Sequence, residues 1–187
     1  MSQSNKEKET RTFKVEFRAS EDGDGRTVEG YAALYNELSG ELWGFEEVIE
    51  PGAFDSTDLS DVRALFNHDP NQILARTASG TMAVSLDDKG LRYSFEMPET
   101  TLGNDLLVMM KRGDISQSSF AFSINEESWE EREGELPLRH IRQVEQVFDV
   151  SPVTYPAYTQ TTATARSLDK IKEPKEVFNY DLEIDLV

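Results

Sequence analysis

The chain has 187 residues and a formal net charge of −17, from 36 acidic and 19 basic side chains. This length predicts a single domain with a substantial core, and the excess of negative charge disfavours a protein that binds nucleic acid phosphates. The absence of cysteine excludes a disulfide framework, a thiolate metal site and a cysteine nucleophile. No apolar run is long enough to cross a bilayer, and residues 1–10 are too polar for a secretory signal. We therefore expect a cytoplasmic protein with no membrane partner.

Short apolar segments predict β-strands, and those at 13–17, 81–86 and 91–95 alternate with polar residues at the period of two of a half-buried strand. The segments, in chain order, are residues 13–17, 27–35, 45–49, 62–66, 81–86, 91–95, 118–124 and 139–150. Glycine-containing turns predict that the first and second segments form one hairpin and that the fifth and sixth form another. The sequence before them, residues 1–11, is polar and is predicted to be disordered.

One segment has the pattern of a helix. Thr101 is a candidate N-cap, the apolar residues that follow recur at helical spacing, and Gly113 is a candidate C-terminal residue. Residues 126–135 are acidic and predict a surface excursion between two strands, and residues 167–187 form a charged tail. These elements predict a mainly β protein (α+β) with helices packed outside a sheet or barrel.

Few residues could carry covalent chemistry. His68, one of two histidines, lies in a polar turn directly after an apolar strand, and histidine is the usual side chain for proton transfer near neutral pH. Ser118 and Ser119 begin an apolar strand, which would give a nucleophile rigid support. Taken alone, an ordinary turn histidine and an ordinary strand serine are the favoured interpretations, and His140 is a weaker candidate. From these residues, a mostly β protein that could be a serine hydrolase is predicted.

Other classes of site lack their patterns. No Gly-x-Ser-x-Gly sequence surrounds Ser119, which argues against an α/β-hydrolase, and no glycine-rich phosphate loop is present. The acidic residues Asp55, Asp58 and Asp61 lack the glycine and terminal glutamate of a calcium loop. Two histidines without cysteine disfavour structural zinc. We expect neither a metal ion nor a cofactor.

Five short motifs in order resemble the prohead (procapsid maturation) protease family of tailed bacteriophages. They are Gly-Tyr-Ala-Ala at 30–33, Glu-Val-Ile-Glu-Pro-Gly-Ala-Phe at 47–54, Leu-Phe-Asn-His-Asp-Pro at 65–70, a serine motif at 113–122 and a closing motif at 148–157. The resemblance covers the chain from about residue 13 to about residue 165. It departs from the usual family pattern at Ala75 and Ala121, where glycine is more common, and at Asp149, where glutamate is often found.

The resemblance implies roles for individual residues. Ser119, which directly precedes the phenylalanine of the serine motif, would be the nucleophile, and His68 would be the general base. Asp149 in the closing motif would be the third member, with Glu145 as the alternative acid because strand alternation puts both on one face. His140 is the weakest alternative, by similarity to herpesvirus proteases that complete their triad with a second histidine.

The resemblance also implies a fold and a function. The family is similar in fold to the herpesvirus capsid-maturation protease, a closed barrel of about seven strands surrounded by helices, here expected over residues 12–166. The implied activity is a serine endopeptidase that cleaves scaffolding protein, the major capsid protein and itself inside the assembling procapsid in the host cytoplasm. A homodimer or higher homo-oligomer is implied, and the tail at 167–187 would be processed or would dock. The alternative is a catalytically inactive capsid-assembly or scaffold protein on the same fold.

Overall fold

The computed structural model describes residues 8–13, 18–19 and 25–155. In this part of the chain there are ten strands, one α-helix and one 3-10 turn at Thr77–Ser79. The strands are β1 (Glu9–Phe13), β2 (Arg18–Ala19), β3 (Thr27–Leu34), β4 (Glu46–Ile49), β5 (Arg63–Phe66), β6 (Asp69–Arg76), β7 (Met82–Leu86), β8 (Gly90–Glu96), β9 (Gln117–Glu130) and β10 (Leu138–Val153), and the helix is α1 (Thr101–Arg112). The prediction of a mainly β protein is confirmed.

The strands form two sheets. The larger has the order β1-β9-β10-β5-β6, with β4 also paired to β10, and the smaller has the order β2-β3-β8-β7. Buried apolar side chains from both sheets and from α1 form one cluster, which includes Val28, Tyr93, Leu106, Phe120 and Val150. The two sheets and α1 therefore share one core.

The longest strand, β10, organises the larger sheet. One edge of β10 pairs antiparallel with β9 along nearly its whole length, from Leu138 opposite Glu130 to Val153 opposite Gln117. Its other edge pairs in parallel first with β4 and then with β5, which meets it at Asp149 and Val150. The end of β10 that follows Asp149 is therefore held between β9 and β5.

Two predicted elements are confirmed in detail. The hairpin β7–β8 turns at Asp87, whose carboxylate oxygen Oδ1 accepts hydrogen bonds from the backbone N–H groups of Lys89 and Gly90. Helix α1 ends at Gly113, which has a φ of 81°, a left-handed conformation that glycine adopts without a steric penalty. The N-cap is Thr100 and not the predicted Thr101: the Thr100 hydroxyl accepts from the backbone N–H of Gly103 at 3.1 Å.

No helix in the described ranges is long and apolar enough to cross a membrane.

Other predictions need correction. No closed barrel of seven strands surrounded by helices is found in the described residues: the strands divide into two sheets, and α1 is the single α-helix among them. The acidic excursion predicted at 126–135 is wrong for its first half, because β9 continues to Glu130 and packs Trp129 against Phe45. Residues 9–11, predicted to be disordered, belong to β1.

Strand β6 has no counterpart in the predicted elements. It contains Pro70 followed by the polar Asn71 and Gln72, and it is an edge strand, where proline and exposed polar residues are tolerated. In the first predicted hairpin, Phe13 belongs to β1 and pairs with β9 in the other sheet, and it is the neighbouring residues of β2 that pair antiparallel with β3. Residues 14–17 of that hairpin and the tail at 167–187 lie outside the described residues.

A buried network of charged side chains joins β1, β4, β9 and β10. Arg11 contacts Glu47 at 2.7 Å and Glu9 at 2.5 Å, and Arg139 contacts both of these carboxylates and Glu127. Arg139 is only 1% exposed and Glu47 2%. Each charge is compensated inside the network, which is the condition for keeping such groups away from water.

We expect Arg139→Ala to lower the free energy of unfolding by about 3–5 kcal/mol, because it leaves buried carboxylates without their main partner. Urea-induced unfolding followed by circular dichroism measures the change. The matched control is Arg92→Ala, which removes an ion pair to Glu29 with both side chains nearly half exposed and should cost less than about 1 kcal/mol. Equal losses in the two variants would contradict the prediction.

Candidate active site

His68 lies in the two-residue turn of the β5–β6 hairpin. Phe66 pairs with Asp69 across the hairpin, so Asn67 and His68 form the turn between them. Both have positive φ, 52° and 58°, as a type I′ hairpin turn requires. Asparagine and histidine are both enriched among the non-glycine residues of this left-handed region, which still carries a cost in backbone strain. The sequence predicted a turn here, and the structure shows that the imidazole projects from its second position.

Asn67 fastens this turn to the end of β10. Its backbone N–H donates to the carbonyl of Pro152 at 3.0 Å. Its side-chain oxygen Oδ1 accepts from the backbone N–H of Thr154 at 3.0 Å and from the Thr154 hydroxyl at 3.2 Å. The turn that carries His68 is therefore held against the strand that carries Asp149.

Ser119 lies on β9, directly opposite Ser151 of β10. Its hydroxyl oxygen is 2.7 Å from Nε2 of His68, although the residue has no exposed surface. The neighbouring Ser118 points to the opposite face, where its hydroxyl lies 3.0 Å from the phenol of Tyr93. Strand alternation therefore separates the two serines, and Ser119 is the one beside the histidine.

Asp149 completes a chain of hydrogen bonds. Its carboxylate oxygen Oδ1 lies 2.5 Å from Nδ1 of His68 and accepts from the Ser151 hydroxyl at 3.0 Å, and Oδ2 contacts Nζ of Lys8 at 2.8 Å. Burial of Asp149 opposes its charged form, but its hydrogen bonds to His68 and Lys8 and its Coulombic interactions with them outweigh burial and lower the pKa of this carboxyl. Because a carboxylate can only accept, Nδ1 of His68 carries a proton.

The two alternatives for the third member lie elsewhere. Glu145 accepts a hydrogen bond from Ser123 at 3.3 Å. The β9–β10 register is irregular between Glu145 and Asp149. Simple strand alternation therefore does not put the two side chains on the same face of the sheet. His140 is at the other end of β10, between Glu50 and Glu130 and next to an open surface cavity. The structure thus brings together Ser119, His68 and Asp149, and it does not bring Glu145 or His140 to them.

Some residues at this site were missed in the sequence. Ser151 could have been found, because it follows Asp149 by two positions on the same strand and so shares its face. No sequence pattern marked Lys8 as a site residue, since it lies in the polar segment at residues 1–11. The backbone carbonyl of Arg11, which accepts from the Ser119 hydroxyl at 2.9 Å, also has no sequence signature. Gln117, two positions before Ser119 on β9, has a buried side-chain oxygen without a hydrogen-bond partner in the described part of the chain.

This arrangement of a carboxylate, an imidazole and a serine hydroxyl can activate the serine. An imidazole with one nitrogen on a carboxylate and the other on a serine hydroxyl can accept the hydroxyl proton while the carboxylate stabilises the resulting cation. Such an arrangement activates serine for attack on a carbonyl carbon. The site has a carboxylate, an imidazole and a serine hydroxyl in hydrogen-bond contact and in that order.

Comparison with known proteins bears on the whole chain. Neither the curated proteins nor the solved structures gave a match. The family model of the caudovirus prohead serine protease matches residues 13–174, a range that contains Ser119, His68 and Asp149. Since the match extends over most of its length, the chain belongs to the caudovirus prohead serine protease family.

Proposed function

We propose that this protein is a serine endopeptidase of procapsid maturation, with Ser119 as nucleophile, His68 as general base and Asp149 as the acid that orients the imidazole. The observation that carries the proposal is the unbroken line of contacts from Asp149 through His68 to Ser119, at 2.5 and 2.7 Å. Membership of a serine protease family supports it independently.

The reaction would follow the acyl-enzyme route. His68 removes the proton from the Ser119 hydroxyl as the oxygen attacks the scissile carbonyl, and it then returns that proton to the leaving amine. Water releases the acyl group in a second round of the same proton transfer. Asp149 stays ionised throughout, which fits its lowered pKa, and it stabilises the imidazolium that forms in each half.

The proposed substrates come from the family. A caudovirus prohead protease acts during capsid maturation, so we propose that the chain cleaves scaffolding protein, segments of the major capsid protein and itself within the assembling procapsid. The charged tail at 167–187 is the proposed site of self-processing or docking. A homodimer or higher homo-oligomer remains the expected assembly.

Replacing Ser119 with alanine should abolish covalent labelling by a serine-reactive fluorophosphonate and cleavage of co-expressed capsid protein, because no other side chain can form the acyl-enzyme. Ser118→Ala is the matched control. It removes one buried hydrogen bond to Tyr93, worth about 1 kcal/mol of stability, and should leave labelling intact. Mass spectrometry of the labelled protein measures both. Loss of labelling in Ser118→Ala, together with undiminished labelling of the Ser119→Ala protein, would overturn the assignment.

Asp149→Asn should slow labelling of Ser119 by up to about 10⁴-fold, the loss that the same change causes in the catalytic triad of a chymotrypsin-like protease. The amide can donate to the imidazole and then favours the wrong tautomer. Glu145→Gln and His140→Gln are the controls, because both residues lie apart from His68, and each should retain most of the rate. A larger loss in either control than in Asp149→Asn would give the role of third member to that residue.

The alternative function is a catalytically inactive capsid-assembly or scaffold protein. The complete burial of Ser119 is the observation that favours it, because a nucleophile needs access to its substrate. The two functions differ in one measurement. A working site loses fluorophosphonate labelling when His68 is changed to alanine, whereas an inactive relative is unlabelled both before and after that change. Incubation with capsid protein should accompany the measurement, so that assembly-dependent activity is included.

A further inference from the structure

Strand β1 lies along the outer edge of the strand that carries Ser119. It pairs antiparallel with β9, with Thr12 opposite Ser119 and Arg11 opposite Phe120, and it is the last strand on this side of the larger sheet as described. An extended peptide that binds to an exposed sheet edge makes the same kind of backbone pairing. The chain thus places its own backbone where an extended substrate could run past the nucleophile.

The contact between β1 and Ser119 competes with catalysis. A serine hydroxyl has one proton, and two acceptors are within reach of it: Nε2 of His68 at 2.7 Å and the carbonyl of Arg11 at 2.9 Å. General-base catalysis requires that the proton be given to the imidazole. While the hydroxyl donates to the carbonyl of Arg11, its proton is not available to His68. In that state Ser119 is not activated as a nucleophile.

The same segment closes the site in a second way. Lys8, which directly precedes β1, pairs with Asp149 at 2.8 Å, so Lys8 and β1 together contact both the proposed acid and the proposed nucleophile. A scissile carbonyl carbon must come within about 3–3.5 Å of the serine oxygen before reaction. Ser119 has no exposed surface, and this approach is therefore blocked in the conformation observed.

Several features make β1 separable from the rest of the fold. As an edge strand it can leave without breaking the pairing of β9 with β10. Glu9 and Arg11 carry opposite charges, so their departure leaves the net charge of the buried network unchanged, and Glu47 still contacts Arg139 at 3.1 Å. The family match begins at residue 13, after Lys8 and Arg11, and it includes all three proposed catalytic residues.

We propose that β1 is a displaceable intramolecular inhibitor: it occupies the peptide-binding edge of β9 and keeps Ser119 idle until it moves away. The inference rests on the proposed function, because an inhibitor needs an active site to inhibit. It assigns the outer edge of β9 as the place where an extended polypeptide substrate binds, and it makes release of β1 the step that starts activity.

The first test loosens β1 in the full-length chain. The double variant Glu9→Gln/Arg11→Met removes the charged contacts of β1 with Glu47 and Arg139 and leaves the three catalytic residues unchanged. We expect fluorophosphonate labelling of Ser119 to become about tenfold faster, since the rate follows the fraction of molecules with β1 displaced. A cooperative unfolding transition verifies that the variant is folded.

The second test locks β1 and does not depend on the first variant. Thr10 faces Ala121 across the two strands, and directly opposed residues are close enough for a disulfide. Because the chain has no cysteine, Thr10→Cys/Ala121→Cys forms a single defined bond. The oxidised protein should label at least about tenfold more slowly than its reduced form. Ser85→Cys/Arg92→Cys, a pair across β7 and β8, is the control in which oxidation should have no effect.

The outcomes separate the two proposals. Equal rates for the loosened variant and the original chain, or for the oxidised and reduced forms of the Thr10–Ala121 pair, overturn the inhibitor and leave the protease in place. Ser119→Ala in the loosened background must remove all labelling. If neither the original chain nor any variant is labelled, then the proposed function itself fails, and the inhibitor fails with it.

Discussion

The pairing of β10 on both of its edges is the constraint on which the site depends. Neighbouring strands lie about 4.8 Å apart, so the sheet order β9-β10-β5 places the strand of Ser119, the strand of Asp149 and the hairpin of His68 side by side. Asp149 pairs with Ala121 on one side and Arg63 on the other. Asp149 therefore lies on the middle one of these three strands. The turn after β5 folds back over it and brings the imidazole of His68 between Asp149 and Ser119.

That fold-back has an energetic cost that local bonds offset. A non-glycine residue at positive φ is destabilised by about 1–3 kcal/mol, and the turn has two, Asn67 and His68. The bonds from Asn67 to Pro152 and Thr154 counter this cost at the end of β10, next to the residues that pair with Ser118 and Ser119. The strain is kept because the surrounding structure fixes the turn in one conformation, which also fixes the direction of the imidazole.

The sequence was most informative where a pattern is local. Alternation predicted the hairpin β7–β8, and glycine and threonine predicted α1 to within one residue. The residues alone did not select Ser119 over an ordinary strand serine, because the contact that distinguishes it, 51 positions away at His68, is a product of strand order. The division into two sheets and the contact of Lys8 with Asp149 depend on similar long-range pairing. The five motifs that resemble the prohead protease family indicated site residues that periodicity did not, since they mark positions that meet only after folding.

The buried charged residues of β1, Glu9 and Arg11, also fix the register in which this strand pairs with β9. A slip of one residue in strand register turns each side chain to the opposite face, and here it would move Arg11 away from Glu47 and Glu9 away from Arg139. Buried charged groups are best attested as devices that specify register, more than as sources of stability. Because the network allows one register, it also determines which carbonyl meets Ser119. The charges that hold β1 therefore select the contact that keeps the nucleophile idle, and the strength of this network sets how readily β1 can be displaced.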